Sequence, residues 1–278
     1  MSIVNARTID DALSALADHP DSLLVQGGTD SMVQMNFGRL DPRSIVSLRG
    51  IRELRDWRAL PDGGTFIGAG LPYSGMEKGD LAARLPALAE AARTVGSPQI
   101  RAAGTIGGNL GTASPAGDAL PVLRALDATV HLRSATSARD VPVADFLVGV
   151  KRTILVPGEL IVGVSIPPVR GWQGYAKVGV RNAMVIAIAS ACLARDGSSV
   201  RLALGAVAPT VVRCPGAERA AASMLADGRR PSREDAREFG HIASAECSPI
   251  SDHRSTAAYR THAVAVVAAR LLERSFHD

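Results

Sequence analysis

The apolar positions first follow a helical period. Ile9, Leu13 and Leu16 share a face behind Thr8, which predicts a helix with Thr8 as its N-cap. Residues 22–26 are a short apolar run ending in Gly27-Gly28, the pattern of a strand running into a glycine turn. Residues 44–48, 65–69, 128–132 and 160–166 read as further strands. Residues 81–95 read as a helix in which Pro86 is a local fault or a late start. Pro167-Pro168, followed by Gly171 and Gly174, interrupts the pattern and predicts a domain boundary. Beyond it, residues 173–180, 184–194 and 200–207 predict an antiparallel sheet, with Asp196-Gly197 as a hairpin turn. Residues 217–225, 232–245 and 255–274 predict helices. The expected class is α+β. A mixed domain covers 1–168, in two lobes of about 1–55 and 56–168, and a smaller antiparallel sheet covered by helices follows over 172–278.

Composition narrows the function more than the fold. With 46% hydrophobic and 21% charged residues, 278 residues can bury a core without disulfides. The longest nearly apolar stretch, 183–194, is too short to cross a bilayer. The start of the chain has no basic stretch followed by an apolar one, so a soluble, cytoplasmic protein is expected. Thirty-one basic against 27 acidic residues leave a net charge of only +4, and aromatics are 4%, too few for a base-stacking surface; no nucleic-acid partner is expected. Cys192, Cys214 and Cys247 are odd in number and far apart, which fits a reducing compartment and supplies no ligand set for an iron–sulfur cluster. The histidines show no metal-ligand spacing, so no metal is expected in this chain. No Ser–His–Asp or paired-carboxylate set is apparent, and no catalytic residue is assigned.

Two glycine segments carry the candidate chemistry. The first runs Val25-Gln26-Gly27-Gly28-Thr29-Asp30-Ser31, the second Gly104-Thr105-Ile106-Gly107-Gly108-Asn109-Leu110-Gly111. Neither reads as a GxGxxG in a strand–turn–helix setting, and neither is followed by the Gly-Lys-Ser/Thr of a nucleotide triphosphate loop. Paired glycines let backbone approach a ligand closely and can turn successive N–H groups toward one point, a nest suited to phosphate. Two such nests could hold the two phosphates of a dinucleotide. Taken alone, either segment is more often a plain tight turn. The stretch that follows, Ser114-Pro115-Ala116-Gly117-Asp118, reads as an N-cap with proline at the first helical position and Asp118 in the first turn. There Asp118 would interact with the helix dipole or accept bonds from ligand hydroxyls.

Taken in order, these segments resemble the FAD-binding (medium) subunit of the molybdenum hydroxylases, the xanthine dehydrogenase and carbon monoxide dehydrogenase family. Thr105-Ile106-Gly107-Gly108-Asn109, then Ser114-Pro115-x-x-Asp118-x-x-Pro121, carry the resemblance most strongly. Gly27-Gly28-Thr29-Asp30 and Val95-Gly96-Ser97-Pro98-Gln99-Ile100-Arg101 are similar to segments of the same family. So are Glu159-Leu160-Ile161, Tyr175-x-Lys177, Leu204-Gly205-Ala206-Val207-Ala208-Pro209 and Pro249-Ile250-Ser251-Asp252-x-Arg254. Gln26 and Ser31 depart from it: many members have a small residue at the first position and an aliphatic one at the second.

The resemblance implies non-covalent FAD in a two-lobed domain of the PCMH type. It puts Val25, Gln26, Gly27, Gly28, Thr29, Asp30 and Ser31 on one side of the pyrophosphate, and Thr105, Ile106, Gly107, Gly108 and Asn109 on the other. Thr112 and Asp118 would contact ribityl or ribose hydroxyls. Val95 and Ile161 would lie against the isoalloxazine, with Tyr175 and Lys177 beside it. Lys177 would stabilise the anionic reduced flavin. The resemblance also implies partners: a large subunit with the molybdenum cofactor, a small subunit with 2Fe-2S clusters, a dimer of heterotrimers, and an acceptor such as NAD+, oxygen or a quinone. Asp252, Arg254 and Arg260 read as a structural ion-pair set. Two other functions compete. One is a stand-alone flavin oxidase of the vanillyl-alcohol type, for which the 110 residues after Pro168 are few. The other is a flavin-free assembly protein with the same fold, against which the intact glycine segments argue.

Overall fold

Thr8 and Asp11 close a reciprocal capping box, each side chain accepting the other's backbone N–H, and this starts the helix Ile9–Asp18. Ala12, Leu13 and Leu16 form its buried face. The computed structural model describes residues 2–226, 228 and 230–277. Its contacts divide the chain into two units. The first comprises Met1–Met76, Pro98–Ala113 and Ala128–Pro168. The second comprises Glu77–Ser97, Ser114–Asp127 and Val169–Asp278, so two segments that precede Pro168 belong with the C-terminal part.

Among the described residues the first unit holds two larger sheets and a two-stranded ribbon, Leu147–Gly149 with Arg152–Thr153. A parallel one is ordered Ser2–Asn5, Ser44–Ser47, Leu23–Val25. Leu13, Leu16, Val46, Ile51, Leu54 and Leu160 share a core beneath it. An antiparallel one is ordered Trp57–Ala59, Thr65–Gly68, Leu160–Ile166, Thr129–Arg133, Ala138–Pro142. Glu159, just before Leu160, accepts a two-pronged bond from Arg139, at 2.7 Å to each oxygen, and a third from the Val156 N–H. Those bonds hold its carboxyl below the usual range.

The second unit is a sheet ordered Trp172–Val178, Ala189–Asp196, Ser199–Gly205, Val212–Arg213, all antiparallel. Helices Pro215–Met224, Arg233–Ala245 and Ala257–Arg274 share a core with it, in which Ala217, Ala221, Phe239, Val264, Ala268 and Leu271 join Ala191, Leu193, Leu202 and Leu204. Each large apolar side chain fully buried this way contributes about 1.5–3 kcal/mol. Asp196 pairs Ser199 across Gly197, which has a φ of 58°, so the expected hairpin turn forms where glycine allows it. The α+β class follows. No helix among the described residues is long and apolar enough to cross a membrane.

Two local expectations are corrected, and the alternative left open at Pro86 is decided for a late start with a separate short helix before it. The helix expected over 81–95 is two, Gly79–Arg84 and Pro86–Thr94, because the residue before a proline is excluded from helical backbone; Leu85 takes φ −129°, ψ 65°. The strand expected from residue 184 starts at Ala189. Met184 is left-handed at φ 51°, and Arg181 holds the preceding loop by donating to the Ala183 and Met184 carbonyls. The helix expected from Pro115 starts at Ala119 with Asp118 at the N-cap position. The Ser114 carbonyl closes a turn with Gly117, and the Pro115 carbonyl accepts the Ala206 N–H at 2.7 Å.

Arg260 is buried and donates to the Ile188 and Ala206 carbonyls and to Asp252. Arg254 also reaches Asp252, at 3.3 Å, so the set is structural. The Arg254 backbone N–H, then the Arg260 guanidinium and the Ser255 N–H, hold the Asp252 carboxyl down at about 2. A depressed carboxyl gives stability that is present above its unfolded value, about 3.9, and is lost as the folded group protonates. The thermal midpoint of Asp252→Asn is therefore expected below that of the parent at neutral pH, with the gap closing as pH falls from about 4 toward 2. Calorimetry at several pH values checks this; a gap of constant size would show that Asp252 acts only through shape.

Candidate functional site

The first glycine segment leaves the strand Leu23–Val25, turns at Gly28 with φ +69°, and enters a short helix, Ser31–Asn36. It is thus the expected strand running into a glycine turn, without a GxGxxG, and it continues into a helix that the sequence reading did not include. The helix was hidden because none of its residues is buried, so it has no apolar period. Asp30 is exposed at the N-cap position and makes no capping bond.

The second segment is the start of a helix, Ile106–Thr112. Thr105 caps it, accepting the Gly108 N–H at 3.1 Å. The Gly107 N–H donates to the Ala69 carbonyl at 2.8 Å. Two of the amides that an open nest would offer are therefore engaged within the chain. The glycines serve close packing instead: a Cβ on Gly107 would lie 2.6 Å from the Ala69 Cβ and 2.7 Å from its carbonyl oxygen.

The two segments meet. A Cβ on Gly27 would lie 1.9 Å from the Ala103 carbonyl oxygen, and one on Gly104 would lie 3.5 Å from Thr29 Oγ1. The Gly104 carbonyl in turn accepts the Tyr73 N–H at 3.0 Å. Ile161 Cδ1 would be 3.9 Å from a Cβ on Gly111, so Ile161 stands beside the second segment. Thr112 ends that helix, where Ala113 turns left-handed at φ 47°. The first unit therefore gathers Val25, Gln26, Gly27, Gly28, Thr29, Asp30 and Ser31 with Thr105, Ile106, Gly107, Gly108, Asn109, Thr112 and Ile161.

One buried acceptor in each segment, Gln26 Oε1 and Asn109 Oδ1, has no hydrogen-bond partner. A buried amide oxygen without a donor costs about 1–3 kcal/mol, so this pair fits a ligand that brings hydroxyl or amine donors. FAD has such donors along its ribityl chain, ribose and adenine. The close-packed glycines and these two acceptors fit the cofactor that the sequence suggested.

The remaining candidates lie in the second unit. Asp118, Tyr175 and Lys177 form one buried cluster. Tyr175 Oη donates to Asp118 Oδ1 at 2.7 Å, and Lys177 Nζ donates to Asp118 Oδ2 at 2.8 Å and to the Thr94 carbonyl at 3.0 Å. Lys177 is 6% exposed and Asp118 9%. Burial raises the Asp118 carboxyl above its ordinary value, while Lys177 and the Tyr175 hydroxyl pull it back. Burial, with Asp118 adding to it, pushes the Tyr175 phenol far up, so it stays a donor. Val95 follows Thr94 directly and is half-buried. Sequence reasoning missed Glu90, which accepts the Tyr175 backbone N–H at 2.7 Å and pairs with Arg274. A lone carboxylate in the apolar run Ala87-Leu88-Ala89-Glu90-Ala91-Ala92 was the available signal.

A glycine turn pressed against a capped helix start, with an unpartnered acceptor in each, defines a domain for a nucleotide cofactor. Comparison with known proteins gives the class its family. Residues 1–169 match the model of the FAD binding domain in molybdopterin dehydrogenase, and residues 175–275 that of the CO dehydrogenase flavoprotein C-terminal domain. The chain belongs to the FAD-binding subunits of the molybdenum hydroxylases. It is 33% identical over 225 residues to the xanthine dehydrogenase FAD-binding subunit of Escherichia coli, covering 78% of this chain and 77% of that one. It is 30% identical over 272 residues to the glyceraldehyde dehydrogenase medium chain of Sulfolobus acidocaldarius, covering 96% and 95%. Its fold matches a solved structure of the Hydrogenophaga pseudoflava carbon monoxide dehydrogenase, the form lacking the Mo-pyranopterin moiety of the molybdenum cofactor. There the TM-score is 0.89 at 28% identity, over 100% of this chain and 97% of that one. The chain is thus an FAD-carrying subunit of an oxidoreductase.

Proposed function

We propose that this chain is the flavin station of a multi-subunit molybdenum hydroxylase, and that substrate is oxidised on a different subunit. When bound, FAD supplies the redox chemistry that joins iron–sulfur clusters on a partner chain to an acceptor such as NAD+, oxygen or a quinone. The chain's own residues bind and orient it. The turn at Gly27-Gly28 and the helix start at Thr105 bring backbone close to the pyrophosphate, and Gln26 Oε1 and Asn109 Oδ1 accept from ligand hydroxyls or amines. Thr112 and Ile161 extend that contact along the helix that follows. The family pattern adds Val95, Asp118, Tyr175 and Lys177 to the flavin's surroundings. The proposal includes a dimer of heterotrimers with the molybdenum and iron–sulfur subunits, in the cytoplasm. The observation that supports it most directly is the contact of Gly27 with the Ala103 carbonyl, which joins two segments far apart in sequence.

The test is to purify the tagged chain from its native host, precipitate it with acid, and identify the released chromophore and the co-purifying chains. About one FAD per chain in the supernatant, together with chains containing molybdenum and iron, is the expected result. Flavin retained in the pellet would indicate a covalent, stand-alone oxidase and overturn the proposal. A colourless chain that takes up no added FAD would do the same.

A further inference from the structure

The antiparallel sheet of the first unit carries a second polar group, unrelated to the glycine segments. His131 and Asp140 stand directly opposite each other on the adjacent strands Thr129–Arg133 and Ala138–Pro142. His131 Nδ1 lies 2.6 Å from Asp140 Oδ1. On the other side, Ser165 is on the strand Leu160–Ile166, where Gly163 is the residue opposite His131. Ser165 is therefore a diagonal neighbour on the same face, and its Oγ lies 2.9 Å from His131 Nε2. An ionised carboxylate can only accept, so the bond to Asp140 places the proton on Nδ1. In the neutral imidazole Nε2 is then the acceptor for the Ser165 hydroxyl proton. The sequence showed no such set because its three members are alternate residues of three strands.

The surroundings complete the picture. Phe66, directly opposite Ser165, has its ring 5.6 Å from the His131 ring, and the Arg58 guanidinium lies over the Phe66 ring at 4.0 Å. The His131 side chain is 22% exposed and Asp140 67%, so the group is reachable from solvent. Val164 and Ser165 are each paired to strands on both sides, and the strand is bulged only between Ile161 and Gly163. The backbone next to the Ser165 hydroxyl is thus held in the ladder and offers no pair of free N–H groups to an oxyanion, as a hydrolase does.

We propose that Ser165 is a nucleophile that accepts one acyl group from an activated acyl donor, such as an acyl phosphate or thioester, and retains it. The Ser165 Oγ–H proton moves to His131 Nε2 as the Oγ–acyl carbon bond forms. The bond from that carbon to the leaving group breaks, and the leaving group departs with the electron pair, taking the proton from His131. Asp140 is a positioning residue: it fixes the imidazole tautomer. Without an oxyanion site the reaction needs a good leaving group, and the acyl-serine is not turned over. The site is thus one of modification rather than of hydrolysis.

The test uses the full chain with p-nitrophenyl acetate as the probe, reading nitrophenol release and peptide masses. A burst of about one nitrophenol per chain, with no continued turnover and with acetyl on Ser165, is expected. Ser165→Ala abolishes the burst. His131→Gln slows it by about a hundredfold, the lower range for loss of a general base. Added imidazole partly restores the rate of His131→Ala, which a purely structural role would not allow. Asp140→Asn, at an exposed position, slows the burst without moving the thermal midpoint. Acetyl found only on lysines, or Ser165 acetylation that proceeds equally in His131→Gln, would overturn the proposal.

Discussion

Gly27→Ala is expected to weaken FAD binding by about 10- to 100-fold. The cause is steric. The added Cβ would sit 1.9 Å from the Ala103 carbonyl oxygen, a backbone atom that no side-chain rotation can move. The two glycine segments must separate, and forcing extra volume into a packed site costs about 1–3 kcal/mol. Each 1.4 kcal/mol that falls on the cofactor geometry is a tenfold loss of affinity. The measurement is a fluorescence titration of the deflavinated chain with FAD, paired with the thermal midpoint of the FAD-free form. A midpoint that falls while the dissociation constant stays put would show that the contact serves the fold and not the cofactor.

Lys177→Met is expected to destabilise the chain by about 3–5 kcal/mol near neutral pH, the usual cost of removing one partner of a buried ion pair. The Asp118 carboxylate keeps the Tyr175 hydroxyl but loses its charge partner. The pH dependence distinguishes this from lost packing. Burial already raises the Asp118 carboxyl, and without Lys177 it rises further. A carboxyl raised in the folded state contributes stability that is present below its unfolded value and lost as pH climbs through the folded one. The deficit of the variant should therefore be small in acid, where Asp118 is protonated, and grow toward neutrality. Denaturant melts across that range check it; a deficit of equal size throughout would mean that the methylene stem matters and the charge does not. If the ammonium also faces reduced flavin, the same variant lowers the flavin midpoint potential, which a redox titration reads separately.

Features set by a few neighbouring residues were legible in the sequence. The N-cap at Thr8, the helix from Ser232 and the Asp196-Gly197 turn each depend on groups within four positions, and each formed as expected or one residue away. The glycine segments and Asp118 stood out by composition and order. What they touch did not. Gly27 meets Ala103, and Asp118 meets Tyr175 and Lys177 more than fifty residues on. No local pattern encodes which strand register will bring such residues together. Asp118 shows the consequence: its position near a helix start suggested a dipole role, while its oxygens are engaged by a phenol and an ammonium from a strand. The helix Ser31–Asn36 was illegible for the opposite reason, since Met32, Val33 and Phe37 remain exposed and leave no buried stripe to detect.

The division of the chain between its units also sets an order of events during synthesis. Helix Pro86–Thr94 pairs with the strand Trp172–Val178, through the Tyr175 backbone bond to Glu90 and the Lys177 bond to the Thr94 carbonyl. When that helix leaves the ribosome, its partner strand has not yet been translated. The face of the helix that packs on this strand must wait uncovered while about eighty further residues are added. The nascent chain thus carries a sticky intermediate through much of its elongation, and a ribosome that stalls before Trp172 releases a fragment that cannot cover it.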